Sequence, residues 1–157
     1  MDVLAFFNWL DTSWLASISK AYGGVFAVVQ MVHLLSLALL GGCVILADLR
    51  LMGWLLTDVD LQTVHENTRK GFTAALIAIA LSGVFMSSAV AMKLYYNEMF
   101  WAKMTGLLVG VVFYYALRQP LIRSGDSLSA ATRYTIAAAS LLTWFTVAAS
   151  GRWIGFS

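Results

Sequence analysis

The chain has 157 residues, of which 61% are hydrophobic and only 11% charged, and its mean hydropathy is +0.80. A soluble domain carries about 25% charged residues, so this composition excludes an ordinary water-soluble fold, and the formal net charge of +2 implies no nucleic-acid partner. The single cysteine, Cys43, excludes an intramolecular disulfide and a CxxC redox pair.

Residues 3–10 set Phe6, Phe7, Trp9 and Leu10 beside Asp2, Asn8 and Asp11. The segment is too short to cross a bilayer but aromatic enough to lie at headgroup level, which predicts a short interfacial helix. Asp2 stands where a secretory signal would carry positive charge, so the segment is expected to be retained. Ser13 is placed to cap the helix that follows, its hydroxyl accepting from a free first-turn amide.

Four long apolar runs come next, at about 21–47, 71–92, 101–117 and 134–150. Asp48 and Arg50 close the first, and the polar stretch 58–70 leads into the second. The third has Lys103 near its start and Arg118-Gln119-Pro120 at its end, and Pro120, which lacks a backbone donor, suits a helix boundary. The fourth stops at Gly151-Arg152-Trp153. A spanning helix needs roughly 20 apolar residues. Hydrocarbon offers the backbone no partners, so such runs must coil into helices or close into a barrel, and none alternates polar with apolar residues as a barrel strand does. The expected fold is all-α: a four-transmembrane-helix bundle with a short N-terminal interfacial helix, one domain over 1–157.

The first and third loops hold Arg50, Arg69, Lys70, Arg118, Arg123 and Arg133, against Lys20, Lys93, Lys103 and Arg152 on the other side. The positive-inside rule then turns loops one and three to the cytoplasm and both termini outward. Membrane lipids are the expected surroundings. Between helices, small residues should form the contacts, because lipid gives no hydrophobic drive for helices to associate. Gly106 and Gly110 form a GxxxG, and Gly41-Gly42, Gly83 with Ser87, and Ala137 to Ser140 offer similar flat surfaces. These are read as contacts within the bundle, with a homo-oligomer or larger membrane complex as the alternative.

His33 is the foremost candidate for chemistry, since it sits near the middle of the longest apolar run, where an ionisable group is costly and points to function. Gln30 and Ser36 share its helix face, and equal depth brings Ser82, Gly83, Gly110 and Thr143 near its level, with Met86 one turn away. A neutral imidazole there suits haem b ligation, a quinone contact, or a plain hydrogen bond to a neighbouring helix. His65 precedes the second run by six residues and is read as a solvated loop or helix-start residue, too far along the membrane normal to share an iron with His33. Lys103, Arg152, Trp101 and Trp153 cluster at the opposite face, as interfacial anchors or as a hold for haem propionates or a lipid headgroup. Asp48 and Arg50 stand two positions apart and so point to different sides of their helix. Structural roles are expected for both, Arg50 at another helix end or a lipid phosphate and Asp48 at a helix start in the first loop.

The segments HLLSLALLGGCVILADLRLMG from His33 to Gly53, Gly71-Phe72, SGVFM from Ser82, NEMFWAKM from Asn97 and SGRWIGF from Ser150 resemble one uncharacterised family across nearly the whole chain. It is a group of small bacterial four-helix membrane proteins, a domain of unknown function. More distantly, the histidine-bearing first span is similar to copper-resistance D-like and protoporphyrinogen-oxidising membrane proteins, which implies a transmembrane histidine that serves haem, and only His33 matches such a ligand. The resemblance implies a bacterial inner membrane. Two functions compete: a subunit or accessory of a membrane redox system with haem or quinone at His33, and a non-catalytic scaffold or partner-binding bundle without cofactor.

Overall fold

A computed structural model describes residues 2–123 and 128–156, and these residues form helices with no strand among them. Helix α1 (Val3–Asp11) is capped by Asp2, whose carboxylate accepts from the Leu4 amide at 3.2 Å. It buries Phe7 and Leu10 against Ala91, Leu94 and Phe100. Nine residues rise only about 13 Å, so α1 lies on one end of the bundle. Ser13 does cap a helix, accepting from the Ala16 amide at 3.2 Å. That helix is a separate short one, α2 (Trp14–Ala21), because Tyr22 leaves helical geometry at φ −116°, ψ 83° before the first span starts.

Four helices are long and apolar enough to cross a bilayer: α3 (Gly23–Met52), α4 (Leu61–Ala89), α6 (Glu98–Arg123) and α7 (Ala130–Trp153). The short α5 (Ala91–Tyr95) links the second and third. Each span reaches past its apolar run, because its ends carry their own stop and start signals. Gly53 takes a left-handed φ of +78°, and the amides of Gly53 and Trp54 bond back to Arg50 and Leu49, closing α3 in a Schellman turn. Asp60 caps α4 by accepting from the Thr63 amide at 3.0 Å. Polar residues 61–70 are thereby wound into the helix, with Val64, His65 and Thr68 on the buried stripe that continues through Phe72, Ala75, Ile79 and Ser82.

The third span departs from expectation at its far end. Pro120 does not stop it, since the helix runs on to Arg123. Residues Phe113–Arg118 wind as a π-helix directly before the proline. The proline ring would collide with the carbonyl four residues back in a regular helix, and the wider winding moves that carbonyl aside.

Helix α3 packs along α4 and α7, and α6 packs along α7. The expected GxxxG contact is internal: a Cβ on Gly106 would meet Val147 at 3.1 Å, and one on Gly110 would meet Trp144 at 3.2 Å and Thr143 at 3.3 Å. Gly71 serves α4 and α3 similarly, with Cys43 Sγ at 2.8 Å from where its Cβ would stand. Gly41 and Gly42 are different, because nothing lies within 4 Å of either added Cβ and they form no tight contact. Between α4 and α6 the backbones barely approach. Large side chains bridge them instead: Phe72 stacks on Tyr114 at 3.8 Å, and Thr73 shares a 2.8 Å hydroxyl bond with Tyr115. Phe72 and Tyr114 join Leu40, Val44, Ala75, Ile79 and Trp144 in the central core. Outward, Leu81, Leu108, Leu142 and Phe145 are each at least 66% exposed, an apolar perimeter suited to lipid rather than water.

Candidate functional site

Besides the buried Ser19–Ser88 hydroxyl pair, two polar sites with ionisable groups interrupt the apolar interior among the described residues, at different depths. The first is centred on His33, which is 8% exposed on α3. Its Nδ1 lies 2.8 Å from Ser82 Oγ on α4, and Ser82 Oγ donates to the Ala78 carbonyl at 2.6 Å. The hydroxyl has one proton, and an oxygen pair this close needs it, so Ser82 accepts from His33 and the imidazole carries its proton on Nδ1. Nε2 is left as the acceptor. Gly83 lies against the ring: an added Cβ there would stand in ordinary contact, 3.5 Å from His33 Cε1.

Lys103 of α6 places its ammonium within electrostatic reach of His33. Its stem runs over Gly151 of α7, where an added Cβ would stand 3.5 Å from Cδ, Cε and Nζ alike. No carboxylate pairs with it among the described residues. The other sequence candidates stand apart. Gln30 is exposed and makes no hydrogen bond to the ring, and Met86 is half-buried one turn beyond Ser82. Arg152 is exposed, its guanidinium 4.4 Å from the Phe156 ring centre. Trp101 donates to the Tyr95 carbonyl at 2.8 Å, holding the turn before α6.

The second site lies near the ends of α3 and α6 and the beginning of α4. Asp48 finds its partner not in the first loop but in Arg118 of the π-helical segment, whose Nε and Nη2 donate to Oδ1 at 3.1 and 2.7 Å. The pair is shut away, at 1% exposure for the arginine and 0% for the aspartate. Tyr114 supports the guanidinium, its ring centre 5.4 Å away. Ser140 of α7 brings a hydroxyl beside the carboxylate, yet Oδ2 has no hydrogen bond of ordinary geometry. Arg50, as its spacing requires, points elsewhere and clamps the Val59 carbonyl of the first loop at 2.9 and 2.7 Å.

His65 overturns the expectation of a solvated side chain, being 2% exposed with no partner on either ring nitrogen. The reason is the cap at Asp60, which starts α4 early enough to carry His65 onto the buried stripe. Arg69, Arg118 and Arg123 all act electrostatically on it. Sequence reasoning counts Arg118 and Arg69 as loop charges and places Gln119 only at the end of the third run. The available signal was the spacing Val64, His65, Thr68, Phe72, which extends the helix period of the second span back into its polar lead.

These features define a helical membrane-type bundle with four spans of crossing length and two internal polar sites. Residues 6–157 match a family of unknown function, DUF6644, and the chain belongs to that family. No curated protein and no solved structure matches it.

Proposed function

We propose that the protein is a binding subunit or accessory of a redox system in the bacterial inner membrane, and that His33 and Lys103 receive the headgroup of an isoprenoid quinol. The observation that carries this reading is the 2.8 Å contact of His33 Nδ1 with Ser82 Oγ, whose own proton goes to the Ala78 carbonyl. Ser82 thereby holds the ring proton on Nδ1, and an unprotonated Nε2 is left at a depth where few groups can satisfy it. A quinol hydroxyl is a lipid-soluble donor for that nitrogen, and Lys103, without a carboxylate of its own, supplies a donor to a quinol oxygen.

Haem suits the donor set less well. His65 lies 17 positions before Ser82 on α4, about 25 Å along the helix, so a second imidazole is out of reach within one chain. The apolar groove between α3 and α7, lined by Gly41, Val44, Leu141 and Phe145, does not include His33. No step is therefore assigned to haem.

The test is organic extraction of the detergent-purified protein for co-purifying quinone, with titration of a short-chain benzoquinol followed by tryptophan fluorescence. Saturable quenching is expected, weakened about tenfold in His33→Ala and in Lys103→Met, the scale of one hydrogen bond to a charged or buried group. A protein with no quinone and no saturable quenching leaves the scaffold function instead. A Soret band lost in His33→Ala would replace quinol by haem.

A further inference from the structure

The Asp48–Arg118 end of the bundle holds more buried donors than acceptors. Arg118 spends both Nε and Nη2 on one carboxylate oxygen, leaving Nη1 with no acceptor. A buried arginine and carboxylate ordinarily meet as a two-pronged fork, and here both prongs fall on Oδ1, so that Asp48 Oδ2 is left open as well as Arg118 Nη1. Gln119 Nε2 and Arg69 Nε are likewise buried without partners, and so are the one N–H and the one acceptor nitrogen of a neutral His65. Arg118, Gln119 and His65 are each more than nine-tenths buried. Each such atom forfeits the hydrogen bonds that water gave it if nothing meets it, and native interiors leave very few.

Charge has the same sense as the hydrogen bonds. Three guanidiniums, of Arg69, Arg118 and Arg123, bear on His65, and Glu66 opposes them only from the exposed side, where Gln62 donates to it. Among the described residues Asp48 is the only buried carboxylate, with Oδ1 engaged by Arg118 and Oδ2 its one open acceptor. Arg69 of α4 and Arg118 of α6 lie within electrostatic reach of His65, and Gln119 follows Arg118 in the chain, near helix ends where a membrane protein meets phosphates. The π-helical winding matters here, because it is followed by two consecutive buried polar residues, Arg118 and Gln119.

We propose that Arg118, Gln119, Arg69 and His65 form a binding site for a phosphate group, carried by a phospholipid headgroup or present as the free ion. A phosphate offers several acceptor oxygens in a small volume, which is what donors spread over two helices require. The site is separate from His33 and does not depend on the quinol reading.

The experiment follows thermal unfolding of the delipidated full-length protein in an uncharged detergent by tryptophan fluorescence. One arm adds inorganic phosphate, and the other adds mixed micelles of phosphatidylglycerol, with diacylglycerol micelles as the phosphate-free control. Saturating ligand is expected to raise the midpoint by about 5 °C, and the response should be lost in Arg69→Gln and in His65→Gln. A rise with inorganic phosphate assigns the free ion, and a rise with phosphatidylglycerol alone assigns the lipid. Gln119→Leu is the second check. If the site binds phosphate, this variant loses part of the response. If the orphaned donors are only a packing defect, it raises the basal midpoint and the response is unaltered. No rise in either arm, or a rise equal in all variants, overturns the proposal.

Discussion

The two polar sites handle the same difficulty in opposite ways. At His33 one hydroxyl and one imidazole nitrogen meet each other's needs and Nε2 remains as an acceptor, with the Lys103 charge acting on the ring. At Asp48 and Arg118 two full charges meet through one oxygen, and unpaired donors gather around them. The first site leaves one acceptor open, whereas the second leaves several donors open beside a single free carboxylate oxygen. Burial alone therefore does not distinguish a structural polar group from a binding one; the count of donors against acceptors does.

The largest effect that sharpens this comparison is expected from Asp48→Ala. It leaves Arg118 buried with no counter-charge, a loss of about 3–5 kcal/mol, readable as a lower unfolding midpoint in detergent. Replacing both partners, as Asp48→Leu with Arg118→Met, should recover most of that loss, because the desolvation cost vanishes with the charges. If the double variant is as unstable as the single one, the ion pair is not what makes Asp48 indispensable. Gly110→Leu comes next, at about 1–3 kcal/mol, since Trp144 and Thr143 already stand 3.2 and 3.3 Å from the position of its Cβ. A midpoint unchanged in Gly110→Leu would mean that α6 and α7 are not held as closely as described. Ser82→Ala is the mildest, about 1 kcal/mol for one hydrogen bond. Its sharper readout is the benzoquinol titration, where freeing Nδ1 lets the proton move to Nε2 and removes the acceptor.

Hydropathy made the four spans legible, because hydrocarbon imposes one solution on a long apolar run. It also singled out His33, whose isolation within such a run is visible without any neighbour. The glycines at 106 and 110 were legible for a similar reason, as a repeat along one helix face. What stayed hidden depends on more than one helix. Asp48 and Arg118 are 70 positions apart, and nothing local tells either residue which partner faces it. His65 was misread because the polar composition of 58–70 suggests a loop, while the decisive feature was a single cap at Asp60. Pro120 was misread because a proline's usual effect presumes regular winding, and the winding before it is not regular.

That wide turn has a consequence for how the chain tolerates change in length. A π-turn is a helix holding one surplus residue, about 100° of extra rotation. Removing one residue between 113 and 117 would let the coil close up to ordinary pitch while the glycine face before it and Ile122 after it keep their headings. Pro120 would then press on the carbonyl four places back, so the shortened chain should fold well only when Pro120→Ala accompanies the deletion. Circular dichroism of the two shortened proteins would register the difference, and it marks this stretch of α6 as the place where the bundle has slack.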